Sequence, residues 1–194
     1  MGFGLIFFGL ELMSFGTSVF KTNPLLIEQI KHLSATPLAA VAITALFTAF
    51  IHSSAAVIGL AMSLAQADVI TVTDAMYWVY GANIGTTSTA LMAALGSNYI
   101  GKQVAWAHFF YKVGSVVIFY YVTDMFVSLV CGDSPDHSRG IANLHTFFNI
   151  ISALMFLPFI EIGSRGMEKL IPKSASEEDF ATQFLKNDSY NTPA

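Results

Sequence analysis

Leu38 to Gln66 reads LAAVAITALFTAFIHSSAAVIGLAMSLAQ, and Ala75 to Leu95 reads AMYWVYGANIGTTSTALMAAL. Neither stretch holds an Asp, Glu, Lys or Arg, and the charge-free runs reach further, from Lys31 to Asp68 and from Asp74 to Lys102. A helix rising 1.5 Å per residue crosses a hydrocarbon core of about 30 Å with about 20 apolar residues. Both runs exceed that. Each is broken at its centre by small polar residues, His52-Ser53-Ser54 in the first and Gly81-Ala82-Asn83-Ile84-Gly85-Thr86-Thr87 in the second. In lipid, a polar break at mid-depth is tolerated only where it is buried in protein or lines a wet cavity. A single helix of this kind reads as ordinary, its Ser and Thr bonding back to their own carbonyls. Two in succession predict a shared polar cavity.

The rest of the chain agrees with a membrane setting. Of its 194 residues 54% are hydrophobic and 11% charged, less than half the usual charged share of about 25% in soluble domains. The net charge of −4 and the lack of a Lys/Arg cluster argue against nucleic acid as a partner. Five apolar stretches can be drawn: Gly2 to Phe20, interrupted by Glu11; Leu38 to Gln66; Ala75 to Leu95; Val104 to Cys131; and Ile141 to Ile160, closed by Pro158. The expected fold is all-α, a polytopic membrane protein. Asn23-Pro24 and Thr36-Pro37 in the connector before the second stretch favour turns and helix starts. As one straight helix, residues 38–66 would measure roughly 44 Å, too long for an untilted crossing. A re-entrant hairpin turning near His52 to Ser54 is expected instead. Residues 1–172 form the membrane unit and 173–194 a polar tail or linker.

An internal echo links two of these stretches. Ala105, His108, Phe110, Lys112, Ser115 and Phe119 recur 37 positions later as Ala142, His145, Phe147, Asn149, Ser152 and Phe156. Each helix therefore carries a His and, four residues on, a Lys or an Asn on the same face. Two related helices packed side by side are expected.

With these residues in view, the chain resembles the sodium–phosphate cotransporter family, its type II branch and bacterial relatives. Gly81-Ala82-Asn83-Ile84-Gly85-Thr86-Thr87 matches the family's GANIGTT signature, and His52-Ser53-Ser54-Ala55-Ala56 stands where the family has QSSSA. The paired Ala-x-x-His-x-Phe helices and Phe156-Leu157-Pro158-Phe159 also look like that family. The resemblance implies one half of an inverted-repeat transporter, because family members carry two QSSS elements and this chain has one. It implies a fragment, or a half-size protein paired with a second half or a copy of itself, and GFGLIFFGLELM looks like the start of the family's second repeat. It also implies sodium-coupled import of inorganic phosphate, with sodium as the coupling ion and no other cofactor. His52 for Gln and Ala55 for the third Ser depart from the pattern, removing one hydroxyl and adding a titratable ring.

The site residues implied are His52, Ser53, Ser54, Gly81, Asn83, Gly85, Thr86 and Thr87, with Ser53, Asn83 and Thr87 as sodium ligands. Hydroxyl, amide and carbonyl oxygens suit a hard cation, while N–H and O–H donors at helix starts suit an anion. Gly81 and Gly85 are expected to permit unwinding. His52 reads either as a neutral ring in place of the Gln amide or as a titrating group. His108 and His145 read as helix-packing donors, Lys112 as a side chain snorkelling to the interface, and Glu11 as functional by its depth. Metalloprotease, nucleophile-elbow and P-loop signatures are absent from the sequence, and Cys131 stands alone. The chain is read as a non-enzyme. The alternatives are a carrier of another small anion and a non-transporting membrane subunit acting through its acidic tail. Arg165, Lys169 and Lys173 predict a cytoplasmic C-terminus in the inner (plasma) membrane, with the loop at 132–139 outside and that at 97–102 inside.

Overall fold

The computed structural model describes residues 23–132 and 136–173, with helical residues 2–5, 8, 9, 11, 12, 15 and 16 ahead of them. Much of the first apolar stretch, residues 133–135 and the tail from 174 onward lie outside the described residues. Nine α-helices follow among residues 23–173: α1 Pro24–Ser34, α2 Pro37–Ile51, α3 Ser54–Gln66, α4 Val72–Gly85, α5 Thr87–Ala94, α6 Tyr99–Tyr120, α7 Thr123–Cys131, α8 His137–Phe156 and α9 Ile160–Leu170. A 3-10 turn, Leu157–Phe159, joins the last two. The expected all-α class holds among the described residues. By length and composition, His137–Leu170 is long and apolar enough to cross a membrane, and up to three crossings result if each bent helix pair counts as one span.

Local chemistry sets the helix boundaries. Asn23 accepts the Leu25 amide at 3.0 Å ahead of Pro24, and Pro37 opens α2, as the two X-Pro pairs predict. Thr71 and Asp74 bond each other's backbone amides at 2.9 and 3.0 Å, a capping box that starts α4. Asn98 and Asp136 cap α6 and α8 in the same manner.

The predicted break in residues 38–66 is present. His52, at φ 58° in the left-handed region, ends α2, and the Ser53 hydroxyl accepts the Ala56 amide at 3.3 Å to begin α3. Thr44 lies against Gly81 and Thr48 against Gly85, so α2 runs parallel to α4. Ser54 borders the same cleft as Asn83 and Thr86, so α3 runs back antiparallel to α4. At the other end, Lys31, Ser34 and Ala35 border one hollow with Asp68 to Val72. Helices α2 and α3 are therefore the two arms of a hairpin turning at His52-Ser53, both packed on α4.

The third stretch differs from expectation. Gly81 lies within the helical turns of α4, and the only interruption is Thr86, whose dihedrals of −60° and −26° are themselves helical. Gly81 and Gly85 do not unwind the chain. A Cβ at Gly81 would strike Thr44 Oγ1 and the Val41 carbonyl, and one at Gly85 would strike the Ala45 carbonyl and Thr48. The pair is a G-x-x-x-G face admitting α2 to near backbone contact, the way helices associate where hydrophobicity cannot drive them. Thr44 and Thr48 are buried there and donate to the Ala40 and Thr44 carbonyls at 2.6 and 2.7 Å.

The fourth stretch is bent where nothing in the sequence marks it. Helices α6 and α7 meet at 83° across Tyr121-Val122. The carbonyls freed at the bend are met by Thr123 Oγ1, donating to Phe119 O and Tyr120 O at 3.0 Å each, and by buried Tyr80, whose hydroxyl donates to Phe119 O at 3.3 Å. The fifth stretch continues past Pro158 into α9, which presents Glu161 and Arg165 as an exposed ion pair at 2.7 Å.

Candidate functional site

The turn of the hairpin and the end of α4 open onto a cleft of about 450 Å³ that α6 and α8 complete. Its walls are Ser54, Asn83 and Thr86 from the two motifs, His108 and Lys112 from α6, and His145, Thr146, Asn149 and Ile150 from α8. The two motifs thus meet at one polar place, as their central breaks require. The echo helices meet there too. They reach one another through long side chains, Phe119 on Phe148 at 5.0 Å and Tyr111 on Phe156 at 5.2 Å between ring centroids, rather than packing side by side as expected.

Each expected residue has a definite place. Ser54 and Thr86 border the cleft, half-buried, and the Thr86 hydroxyl also donates to the Ala82 carbonyl at 2.6 Å. Asn83 is buried and borders it as well. Ser53 caps α3, and His52 is exposed at the turn. Thr87 is buried with its hydroxyl on the Ile84 carbonyl at 2.7 Å. Gly81 and Gly85 face α2. Of the three oxygens expected to hold sodium, only that of Asn83 belongs to the cleft wall.

The centre of the cleft belongs to a residue that the sequence reading sent elsewhere. Lys112 Nζ donates to Asn83 Oδ1 at 2.8 Å and to Asn149 Oδ1 at 2.6 Å. Both amides are oriented by their own helices. Asn83 Nδ2 donates to the Val79 carbonyl at 3.0 Å and Asn149 Nδ2 to the His145 carbonyl at 2.8 Å, so each turns its oxygen toward the lysine. Lys112 is half-buried and directed across the bundle rather than along its own helix. His108 and His145 flank it on the cleft wall. The signal that could have found this site is the echo itself, which sets Lys112 opposite Asn149 and His108 opposite His145. The arrangement supplies one cationic donor, the Ser54 hydroxyl and two imidazoles, the Thr86 and Thr146 hydroxyls donating to the Ala82 and Ala142 carbonyls, a set suited to a small anion.

Comparison with known proteins gives a consistent picture. The family model described as Na+/Pi-cotransporter matches residues 17–158. YqeW of Bacillus subtilis, a protein described as uncharacterized, is 35% identical over 175 residues, covering 89% of this chain and 56% of its own length. YjbB of Salmonella typhimurium, provisionally named for inorganic phosphate export, is 28% identical over 88% of this chain and 32% of its own length. A Bos taurus protein named sodium-dependent phosphate transport protein 2B is 30% identical over 61% of this chain and 17% of its own. The chain thus spans from about half to less than a fifth of the length of these relatives. No solved structure matches it.

Proposed function

From membership of the Na+/Pi-cotransporter family, to which the chain belongs by the match over residues 17–158, we propose that it carries half of the binding site of a sodium-coupled transporter that imports inorganic phosphate. The observation that carries this reading is the cleft, where the family's two motifs are joined by Lys112, His108 and His145. Phosphate presents acceptor oxygens and negative charge, and this wall offers a cation, the Ser54 hydroxyl and imidazole N–H groups. A second repeat, in the same or another chain, closes the open side with its own hairpin. The hairpin α2–α3 then enters the bilayer without crossing it, since each arm is shorter than a full span.

Sodium coordination by Ser53, Asn83 and Thr87 together requires a rearrangement, because Asn83 Oδ1 already accepts from Lys112 and neither Ser53 nor Thr87 borders the cleft. Direction follows from the gradients: a coupled carrier runs down the sum of its ion and substrate gradients, so an inward sodium gradient makes it an importer. The export name of one relative and the sodium-dependent name of another are both compatible with one reversible cycle. The departures at His52 and Ala55 favour a second reading, in which another small oxyanion takes the place of phosphate. Uptake of labelled phosphate into proteoliposomes holding the chain assembled with its second repeat tests both. An inward sodium gradient should accelerate uptake over potassium controls, and sulfate should not compete. Uptake at the level of protein-free vesicles, or competition by sulfate at equal concentration, contradicts the phosphate reading.

A further inference from the structure

Lys112 has no counterpart in the two motifs, yet it holds the middle of the site they build. Its position is that of a bound cation. Two neutral amide oxygens from different helices, Asn83 of α4 and Asn149 of α8, converge on Nζ at 2.8 and 2.6 Å. Each oxygen is held in place because the other half of its amide is tied to a carbonyl four residues back. Aimed carbonyl dipoles of this kind are the ligands that hold a hard monovalent cation. The echo sharpens the point, since position 149 carries an Asn where position 112 carries a Lys.

We propose that Lys112 is a tethered cation: its ammonium occupies the place between Asn83 and Asn149 that a free sodium ion would otherwise take, and it supplies the positive charge balancing an anion in the cleft. The proposal rests on the phosphate reading only for its second clause. A sodium ion sharing those two oxygens would lie within a few ångströms of the ammonium, in a partly buried site where like charges repel strongly. This half-site therefore gives up one coupling cation, and its anion affinity at this point depends little on sodium. Ser53 and Thr87, neither of which borders the cleft, remain for any further sodium.

The test is equilibrium binding to the full chain in nanodiscs, with labelled sodium alone and labelled inorganic phosphate alone, for wild type, K112N, K112M and K112R. K112N restores the amide of the echo helix, and K112R keeps the charge. Sodium affinity should rise by at least about tenfold in K112N and K112M, the scale set by removal of one like charge, and stay at the wild-type level in K112R. Phosphate affinity should fall in K112N and recover when sodium is added, whereas wild type should bind equally in sodium and choline. Equal sodium affinity in wild type, K112N and K112M overturns the proposal. So does wild-type sodium binding that N83L abolishes, a measurement that needs no Lys112 variant to fold. If no variant binds phosphate in any salt, the phosphate reading fails, and the sodium measurements still decide whether Lys112 holds the cation position.

Discussion

Asn83 engages both halves of its amide, donating to Val79 O and accepting from Lys112, so it ties α4 to α6 across the cleft. Asn83→Leu keeps most of the volume but leaves the ammonium with one acceptor fewer in a poorly hydrated place. With only Asn149 left to aim it, the half-buried ammonium loses its fixed position in the cleft, and phosphate affinity should fall by at least about tenfold with the protein still folded, as read by labelled-phosphate binding beside size-exclusion profiles. Ser54→Ala removes one neutral hydroxyl, and about 1 kcal/mol per hydrogen bond sets a smaller loss of about fivefold. Gly81 and Gly85 belong to a different class. Gly85→Ala forces a methyl into the Ala45 carbonyl and Thr48, and overpacking of this kind costs about 1–3 kcal/mol, measurable as a lowered midpoint in denaturant unfolding. The motif GANIG was legible at once, but the role of its glycines was not. Glycine serves both unwinding and close approach, and only the position of α2 decides between them. Lys112 was misread for a related reason: periodicity places a residue on a helix face but does not say which way a long flexible side chain turns.

Helix starts were readable wherever a residue acts on its own neighbours. Asn23-Pro24 and Thr36-Pro37 open helices, and His52-Ser53 breaks the long run into a hairpin. Spin labels at Thr36 and Ala67 test that hairpin, since a straight helix would hold them roughly 45 Å apart and the hairpin brings them to less than half that. The bend between α6 and α7 was not readable, because it contains neither Gly nor Pro. Its Phe119 carbonyl is met from a distant helix by Tyr80, whose hydroxyl also meets Thr123 Oγ1 at 3.2 Å. Tyr80→Phe should cost about 0.5–1.5 kcal/mol, seen in the same unfolding assay, and should increase hydrogen exchange at Tyr120 to Val122 before exchange elsewhere changes.

At the scale of the whole molecule, the two ends of the bundle carry different partners. Gln103 Nε2 donates to Ile171 O at 2.8 Å, bringing the start of α6 and the end of α9 together. His137 Nδ1 lies 3.1 Å from Ala65 O, bringing the start of α8 to the open end of the hairpin. The basic residues after α8 predict that the first end faces the cytoplasm. With Cys131 replaced by Ser, an impermeant thiol reagent on intact cells should label Ser138→Cys and spare Gly96→Cys until the membrane is opened. The reverse pattern refutes this orientation. The account turns on the cleft between these ends. Its most direct test is saturable binding of labelled inorganic phosphate to the purified full chain in nanodiscs, compared with Asn83→Leu and Lys112→Met in choline buffer. Wild type should bind one phosphate per cleft, displaced by unlabelled phosphate and not by sulfate, with affinity at least about tenfold lower in both variants. Wild-type binding that neither substitution changes, or no saturable binding by wild type, would contradict the account.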